Sequence, residues 1–201
     1  MPDGRSVAGV VLAAGAGRRL GAPKALVELG SELLVERAVR TAAGGGCDPV
    51  FVVLGSHADE VLSRASLAGA RPVIAADWSE GMGASLRAGI DAAESTRCPA
   101  IVVSLVDQPR ITAAAIRRLI DAWIGGAEAA VATYDGKPRN PVLLARTTWD
   151  EVRATAIGDT GAREWLRANR CRVVNVACDE VGDPADIDTP LDLEAIQNKP
   201  Q

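Results

Sequence analysis

Three glycines, two arginines and a lysine crowd into Gly15-Ala16-Gly17-Arg18-Arg19-Leu20-Gly21-Ala22-Pro23-Lys24. The stretch follows Val7-Ala8-Gly9-Val10-Val11-Leu12, an apolar, β-branched run that reads as a buried strand. Gly15, Gly17 and Gly21 let the backbone turn tightly and admit a ligand where a Cβ would otherwise stand. Successive amides in such a loop point into one concavity that attracts anions. Arg18, Arg19 and Lys24 add positive charge, with Lys24 read as an exposed loop lysine that supports little packing. This chemistry suits a nucleoside triphosphate, laid along Leu12, Ala13, Ala14, Gly15, Ala16 and Gly17. Two commoner glycine loops fail. A dinucleotide fingerprint needs its third glycine where Leu20 stands and an acid closing the second strand, which here ends in Gly55-Ser56-His57. A Walker loop needs Gly-Lys-Ser/Thr, and Gly21 is followed by Ala22-Pro23-Lys24-Ala25. A neutral connector has no use for two arginines and a lysine around its glycines.

Asp107 is the second chemical feature. It ends Ile101-Val102-Val103-Ser104-Leu105-Val106, which reads as a central parallel strand covered on both faces. A carboxylate there, followed by Gln108-Pro109, is placed to meet a hard divalent cation above the loop. Magnesium takes one or two carboxylates together with phosphate oxygens and water. As a helix cap Asp107 would lie five residues too early, and Thr112 fits that position better. In Asp186-Ile187-Asp188-Thr189-Pro190, either Asp188 or Thr189 can cap a last helix with Pro190 in its first turn. The residues alone leave Asp188 open between that role and a metal.

Gly81-Met82-Gly83-Ala84-Ser85-Leu86 introduces a helix, and its glycines allow a base or ribose to pack against backbone. Ser85 either caps that helix or touches the nucleotide, while Met82 packs or joins the contact. Asp77 and Trp78 anchor the preceding turn. Asp159 and Arg163, in Gly158-Asp159-Thr160-Gly161-Ala162-Arg163, start a helix or meet the acceptor. His57, the only histidine, reads as a polar residue at a helix start, with proton transfer as its other use.

These residues need a scaffold, and the pattern supplies one. Strands are predicted at about 7–13, 50–54, 71–75, 100–106, 128–134, 141–145 and 172–177. Helices are predicted at about 33–44, 58–66, 83–94, 112–124, 147–155, 160–169 and 190–197. This alternation predicts a doubly wound α/β sheet that binds ligands at the carboxyl ends of its strands. The segment 128–144, with two short strands and a Pro-rich turn, is expected to build the acceptor side. At 201 residues the chain suits one domain, 1–201, with a single substantial core. No apolar run approaches a membrane span of about 18 residues, and Met1-Pro2-Asp3-Gly4-Arg5-Ser6 lacks the regions of a signal peptide. A cytoplasmic location with no membrane partner is expected. A net charge of −4 argues against a nucleic-acid surface. The four cysteines have no C-x-x-C spacing and read as reduced structural thiols. The ends, Met1 to Ser6 and Asn198 to Gln201, read as frayed. The oligomeric state has no signature.

The stretch from Leu12 to Lys24 resembles the signature of the MobA-like nucleotidyltransferases, with Arg19, Gly21, Pro23 and Lys24 in register. Four further segments resemble the family in its own order: Trp78–Leu86, Leu105–Pro109, Gly158–Arg163 and Asp186–Pro190. Among its members the chain is most similar to the molybdenum-cofactor cytidylyltransferases and to a branch labelled nicotine blue oxidoreductase. The resemblance implies a Rossmann-like three-layer α/β/α sandwich with a mostly parallel sheet, of the nucleotide-diphospho-sugar transferase kind. It implies transfer of a nucleoside monophosphate with loss of pyrophosphate, Arg19, Lys24 and Asp107 being catalytic. Mg²⁺ would be held by Asp107 and Asp188, with Gly81, Met82, Gly83 and Ser85 on the base and ribose. CTP is the implied nucleotide and an anionic, molybdopterin-type small molecule the acceptor. Two positions depart from the family pattern: Ala75 stands where Asn is common, and Arg139-Asn140-Pro141 where Gly-His-Pro is common. Arg139 thereby adds a cation on the acceptor side, alongside Asn140, Asp159 and Arg163. Two rival functions stay open, an NADPH-dependent oxidoreductase and a non-catalytic nucleotide-binding accessory protein.

Overall fold

The computed structural model describes residues 6–198. Its first strand, β1 (Val7–Leu12), is buried along its whole length. Its side chains alternate between two apolar layers, as the two-residue period of a strand requires. Val7 and Val11 join Leu34, Val35, Val39 and Ala42 of α1 (Leu34–Gly44). Ala8, Val10 and Leu12 join Leu86, Ile90 and Ala93 of α3 (Met82–Glu94). The sheet is therefore the middle layer of an α/β/α sandwich.

The seven-stranded sheet runs β5–β4–β1–β6–β8–β7–β9. Besides β1 it contains β4 (Cys47–Leu54), β5 (Arg71–Ile74), β6 (Ala100–Leu105), β7 (Ala129–Tyr134), β8 (Lys137–Ala145) and β9 (Val173–Ala177). Only β8 runs against its neighbours. A separate two-stranded piece, β2 (Glu28–Leu29) with β3 (Glu32–Leu33), precedes α1. The layer of α1 also takes α4 (Ala113–Ile124) and α7 (Pro190–Asn198), and Val61 of α2 (Ala58–Arg64) packs there too. The layer of α3 takes α5 (Trp149–Thr155) and α6 (Arg163–Ala168). No helix among the described residues is long and apolar enough to cross a membrane.

Strand order reverses direction at β1: the chain goes from β1 to β4 and β5 on one side, then returns to place β6 on the other. The carboxyl ends of β1 and β6 meet there, with Leu12 paired to Leu105 and the Val106 amide donating to the Leu12 carbonyl at 3.1 Å. Such a reversal opens the crevice where α/β sheets bind ligands.

The structure corrects several expected boundaries. The second large strand starts at Cys47, and β8 at Lys137. The turn between β7 and β8 is Asp135-Gly136, not a Pro-rich one. Both residues are left-handed, at φ 49° and 69°, as a two-residue hairpin of this twist demands. Pro138 and Pro141 lie in β8, before its pairing with β6 begins at Val142 and beside an irregularity in its pairing with β7. Proline is tolerated there because no regular ladder needs its missing amide. The helix expected at 160–169 is split into a 3₁₀ turn, Gly158–Thr160, and α6, with left-handed Gly161 between them. Ser6 is tied by its hydroxyl to the Asp48 carbonyl and Asn198 closes α7, so neither is frayed. The rest of the expected frayed ends, residues 1–5 and 199–201, lies outside the described residues.

Candidate active site

Beyond Leu12 the chain is pinned on one side before it leaves the sheet. The Ala13 amide donates to Val53 at 2.9 Å, and the Ala14 carbonyl accepts from Ser56 at 3.0 Å. From Gly15 to Arg19 the amides then find no acceptor among the described residues. Gly17 reverses the chain at φ 60°, its carbonyl accepting from Leu20 at 3.0 Å and Gly21 at 2.9 Å. A Cβ at Gly17 would overlap the Ala22 carbonyl, so the turn itself demands glycine. Gly15 is different: a Cβ there would meet nothing within 4 Å. The loop also opens no helix directly, since a 3₁₀ turn (Lys24–Leu26) and the β2–β3 piece come before α1.

Lys24 reaches across the β1–β6 crevice. Its Nζ lies 2.6 Å from Asp107 Oδ2 and 2.6 Å from Asp188 Oδ1, while Arg19 Nη2 lies 2.9 Å from Asp188 Oδ2. The Lys24 side chain is only 17% exposed, which corrects the expectation of a free loop lysine. The motif's spacing could not reveal this, because both partners are remote in sequence. Burial by itself would lower the lysine's pKa, but Asp107 and Asp188 outweigh it and hold it above the ordinary value. The Lys24 hydrogen bond draws Asp188 below the usual carboxylate value, against partial burial and with help from Arg19.

Both carboxylates are freed for this role by other residues. Thr112 Oγ1 accepts from the Ala115 amide and caps α4, so Asp107 is not that cap. At the start of α7, Asp192 Oδ2 accepts from the amides of Asp188 and Thr189, at 3.1 and 2.7 Å, and from the Thr189 hydroxyl. The Thr189 hydroxyl accepts in turn from the Asp192 amide at 3.3 Å. This reciprocal cap leaves the Asp188 carboxylate to Lys24 and Arg19. The 186–188 segment is held to the end of β6 by the Ile187 amide on the Asp107 carbonyl at 2.8 Å. Gln108, itself buried, donates to Asp186 Oδ1 at 2.7 Å. Burial pushes Asp186 upward; the Gln108 hydrogen bond opposes that shift, and the charges of Asp107 and Asp188 add to it. The positioning roles of Gln108 and Asp192 were missed from sequence, although the spacing Thr189-x-x-Asp192 was a readable capping signal.

Asp107 Oδ1 is buried and has no hydrogen-bond partner among the described residues. No group of three or more His, Cys, Asp and Glu among the described residues could hold a metal. Two hard carboxylates with one unsatisfied oxygen fit a cation that completes its shell with phosphate and water.

The glycines of Gly81-Met82-Gly83 make room for the chain itself. A Cβ at Gly81 would stand 2.6 Å from Asp159 Oδ1 and from the Gly158 carbonyl carbon, and one at Gly83 would overlap the Ala156 carbonyl. The chain's own 156–159 segment fills that space. Asp159 Oδ1 accepts from the Met82 amide at 3.3 Å, so it caps α3 rather than the helix that follows it. Ser85 is buried in α3 and is not its cap. Met82 packs its sulfur towards Gly161 and stays partly exposed. Trp78 lies against Gly55, where a Cβ would stand 2.5 Å from the indole Cγ and 2.9 Å from Ala14 Cβ. The Asp77 carbonyl accepts from Glu80 to close the turn. Ala75 is buried and gives its amide to Leu54.

Arg139 and Asn140 lie at the same end of the sheet as Asp107, because β8 runs antiparallel to β6. Among the described residues the Arg139 guanidinium meets only the Pro138 carbonyl, at 3.4 Å. Arg163 is exposed at the start of α6. His57 begins α2 in a left-handed conformation with Nδ1 3.4 Å from Glu60, as expected of a polar helix-start residue. All four cysteines are free thiols, and Cys47, Cys98 and Cys178 are buried.

A glycine-rich basic loop set against two acids at the switch point of such a sandwich is the architecture of the nucleotidyltransferases. Solved structures of nucleotide-diphospho-sugar transferase kind share the fold. The chain belongs to the MobA-like NTP transferase domain family, whose profile matches residues 9–174. It is 41% identical over 191 residues to the nicotine blue oxidoreductase of Paenarthrobacter nicotinovorans, covering 91% of this chain and 92% of that one. It is 34% identical to a probable molybdenum cofactor guanylyltransferase of Opitutus terrae, over 65% of this chain and 62% of that one. The structure of Rv0371c from Mycobacterium tuberculosis H37Rv in complex with manganese superposes with a TM-score of 0.82 at 30% identity, covering 97% of this chain and all of that one.

Proposed function

We propose that this nucleotidyltransferase moves a nucleoside monophosphate, CMP by preference, from an NTP to a phosphorylated molybdopterin-type acceptor and releases pyrophosphate. The observation that carries the reading is the Lys24 bridge between Asp107 and Asp188, set beneath a loop whose amides are free. The triphosphate lies along Leu12 to Arg19, with Arg19 and Lys24 taking charge from the α-phosphate and the departing pyrophosphate. A phosphate oxygen of the acceptor attacks the α-phosphorus in line. That nucleophile is already ionised, so the reaction needs little beyond positioning and charge neutralisation. Asp107 and Asp188 would hold a divalent cation, Mg²⁺ by preference, which supplies Lewis-acid polarisation of the phosphates. The probable molybdenum cofactor guanylyltransferase supports the molybdopterin-type acceptor, and the manganese-bound Rv0371c supports a divalent cation. The 128–144 hairpin, with Arg139 and Asn140, forms the acceptor side together with Arg163. The whole chain, 1–201, acts as one cytoplasmic domain.

Gly15 gives a direct test. Gly15→Ala meets nothing in the chain, so thermal unfolding should be unchanged. If phosphate approaches that position, the added methyl should weaken NTP binding by about tenfold or more. Normal NTP affinity in this variant would move the triphosphate away from the loop. Competition titrations with the four NTPs should rank CTP first, and a clear preference for GTP would align the chain with the guanylyl-transferring relatives.

The oxidoreductase reading is favoured by the name of the 41%-identical relative. Against it, β4 is followed by Gly55-Ser56-His57 without a ribose-binding acid, and the β1 loop opens no helix for a pyrophosphate. Calorimetry with NADPH is expected to show no binding, and tight binding would reverse the order of the two readings.

A further inference from the structure

The four charged groups assigned above to triphosphate and cation already hold one another. Lys24 spans Asp107 and Asp188, and Arg19 holds the second oxygen of Asp188. Resting on the nucleotide reading, we propose that this internal ion-pair cluster couples the two ligands. Lys24 and Arg19 occupy the carboxylates until a triphosphate draws them off, so cation and triphosphate enter as a pair and each alone binds poorly.

The physical reason lies in what either ligand leaves behind. A divalent cation arriving alone must displace an ammonium held by two charge-assisted bonds. It then leaves that ammonium in a half-buried place without a counter-charge, a costly arrangement. A triphosphate arriving alone finds its basic partners engaged and brings negative charge beside two carboxylates. When both arrive, the carboxylates pass to the cation and the basic side chains pass to phosphate. Every group that gives up a partner gains another and no charge is stranded. Burial sets which pair matters most. The Lys24 and Asp107 side chains are 17% and 18% exposed, so water replaces neither partner well, whereas Arg19 is 73% exposed and adds less. Linkage makes the effect reciprocal: the factor by which one ligand tightens the other is the same in both directions.

The test uses the full chain, with Mn²⁺ alone and inorganic tripolyphosphate alone in EDTA. Wild type is compared with Lys24→Met, Asp188→Asn and Arg18→Met, each checked for folding by thermal unfolding. Arg18→Met removes the same charge from the same loop without touching the cluster, so it measures the bulk electrostatic effect. Lys24→Met is expected to bind Mn²⁺ about tenfold more tightly than wild type, and Arg18→Met to change it less than about twofold. Asp188→Asn, which frees Arg19 and one arm of Lys24, is expected to bind tripolyphosphate several-fold more tightly. Equal gains in Lys24→Met and Arg18→Met, or no gain in Lys24→Met, overturn the coupling. If Lys24→Met does not fold, the Asp188→Asn arm decides, and unchanged or weaker tripolyphosphate binding overturns it. A coupling that fails while wild type still binds CTP with Mn²⁺ leaves the nucleotidyltransferase reading intact. Wild type that binds no nucleotide removes both.

Discussion

Asp107→Asn should fold as the parent chain does and lose about three orders of magnitude of metal-dependent turnover. The substitution keeps size and one acceptor oxygen but removes the charge. Lys24 keeps Asp188 at 2.6 Å, so no ammonium is left alone and the stability loss should stay near 1 kcal/mol. The unpartnered Oδ1 gives the expectation its point: no group among the described residues bonds that oxygen, so its electrons are available to something that binds. Single-turnover rates measured with Mg²⁺, together with calorimetry of CTP with the metal, provide the check. A purely structural Asp107 forecasts the reverse, a measurable drop in melting temperature with turnover preserved. That result would return the residue to the scaffold.

Gly83→Ala carries the second large effect, on stability rather than chemistry. The new Cβ would overlap the Ala156 carbonyl oxygen and stand 2.6 Å from its carbon, and both are backbone atoms that cannot swing aside. Overpacking of this kind costs about 1–3 kcal/mol. For a chain of this size that is a fall in melting temperature of roughly 2–12 °C. Gly15→Ala is the natural control, since its Cβ meets only open space. If a base packed on Gly83 instead of the 156–159 segment, Gly83→Ala would spare stability and damage only nucleotide binding. Thermal scans of both variants, with and without CTP, tell these outcomes apart.

The layered fold was legible because β1 and β6 are apolar almost throughout and the helices between strands carry one apolar face. The loop and Asp107 were legible because each sits at a strand end, where the βα pattern already places ligands. What escaped the sequence was pairing at long range. Lys24 and Asp188 are separated by 164 positions, and nothing local marks the lysine as half-buried. The Gly81-Met82-Gly83 segment hid one neighbour for a related reason: a missing Cβ shows that something comes close, but not whether it is a ligand or the chain itself. Asp159, distant in sequence, was the neighbour. Asp188 was open between cap and ligand only while Asp192 was left out of account, since that carboxylate takes over the capping.

The clamp that joins the 186–188 segment to the end of β6 also orders events during synthesis. Every strand of the large sheet has left the ribosome once Ala177 has, whereas Asp186 and Asp188 follow later. Until then Lys24 has one acidic partner instead of two, and Gln108 has lost the carboxylate it donates to. A growing chain can thus own its sheet before it owns its ion-pair cluster, which is completed only by a stretch that emerges after every strand.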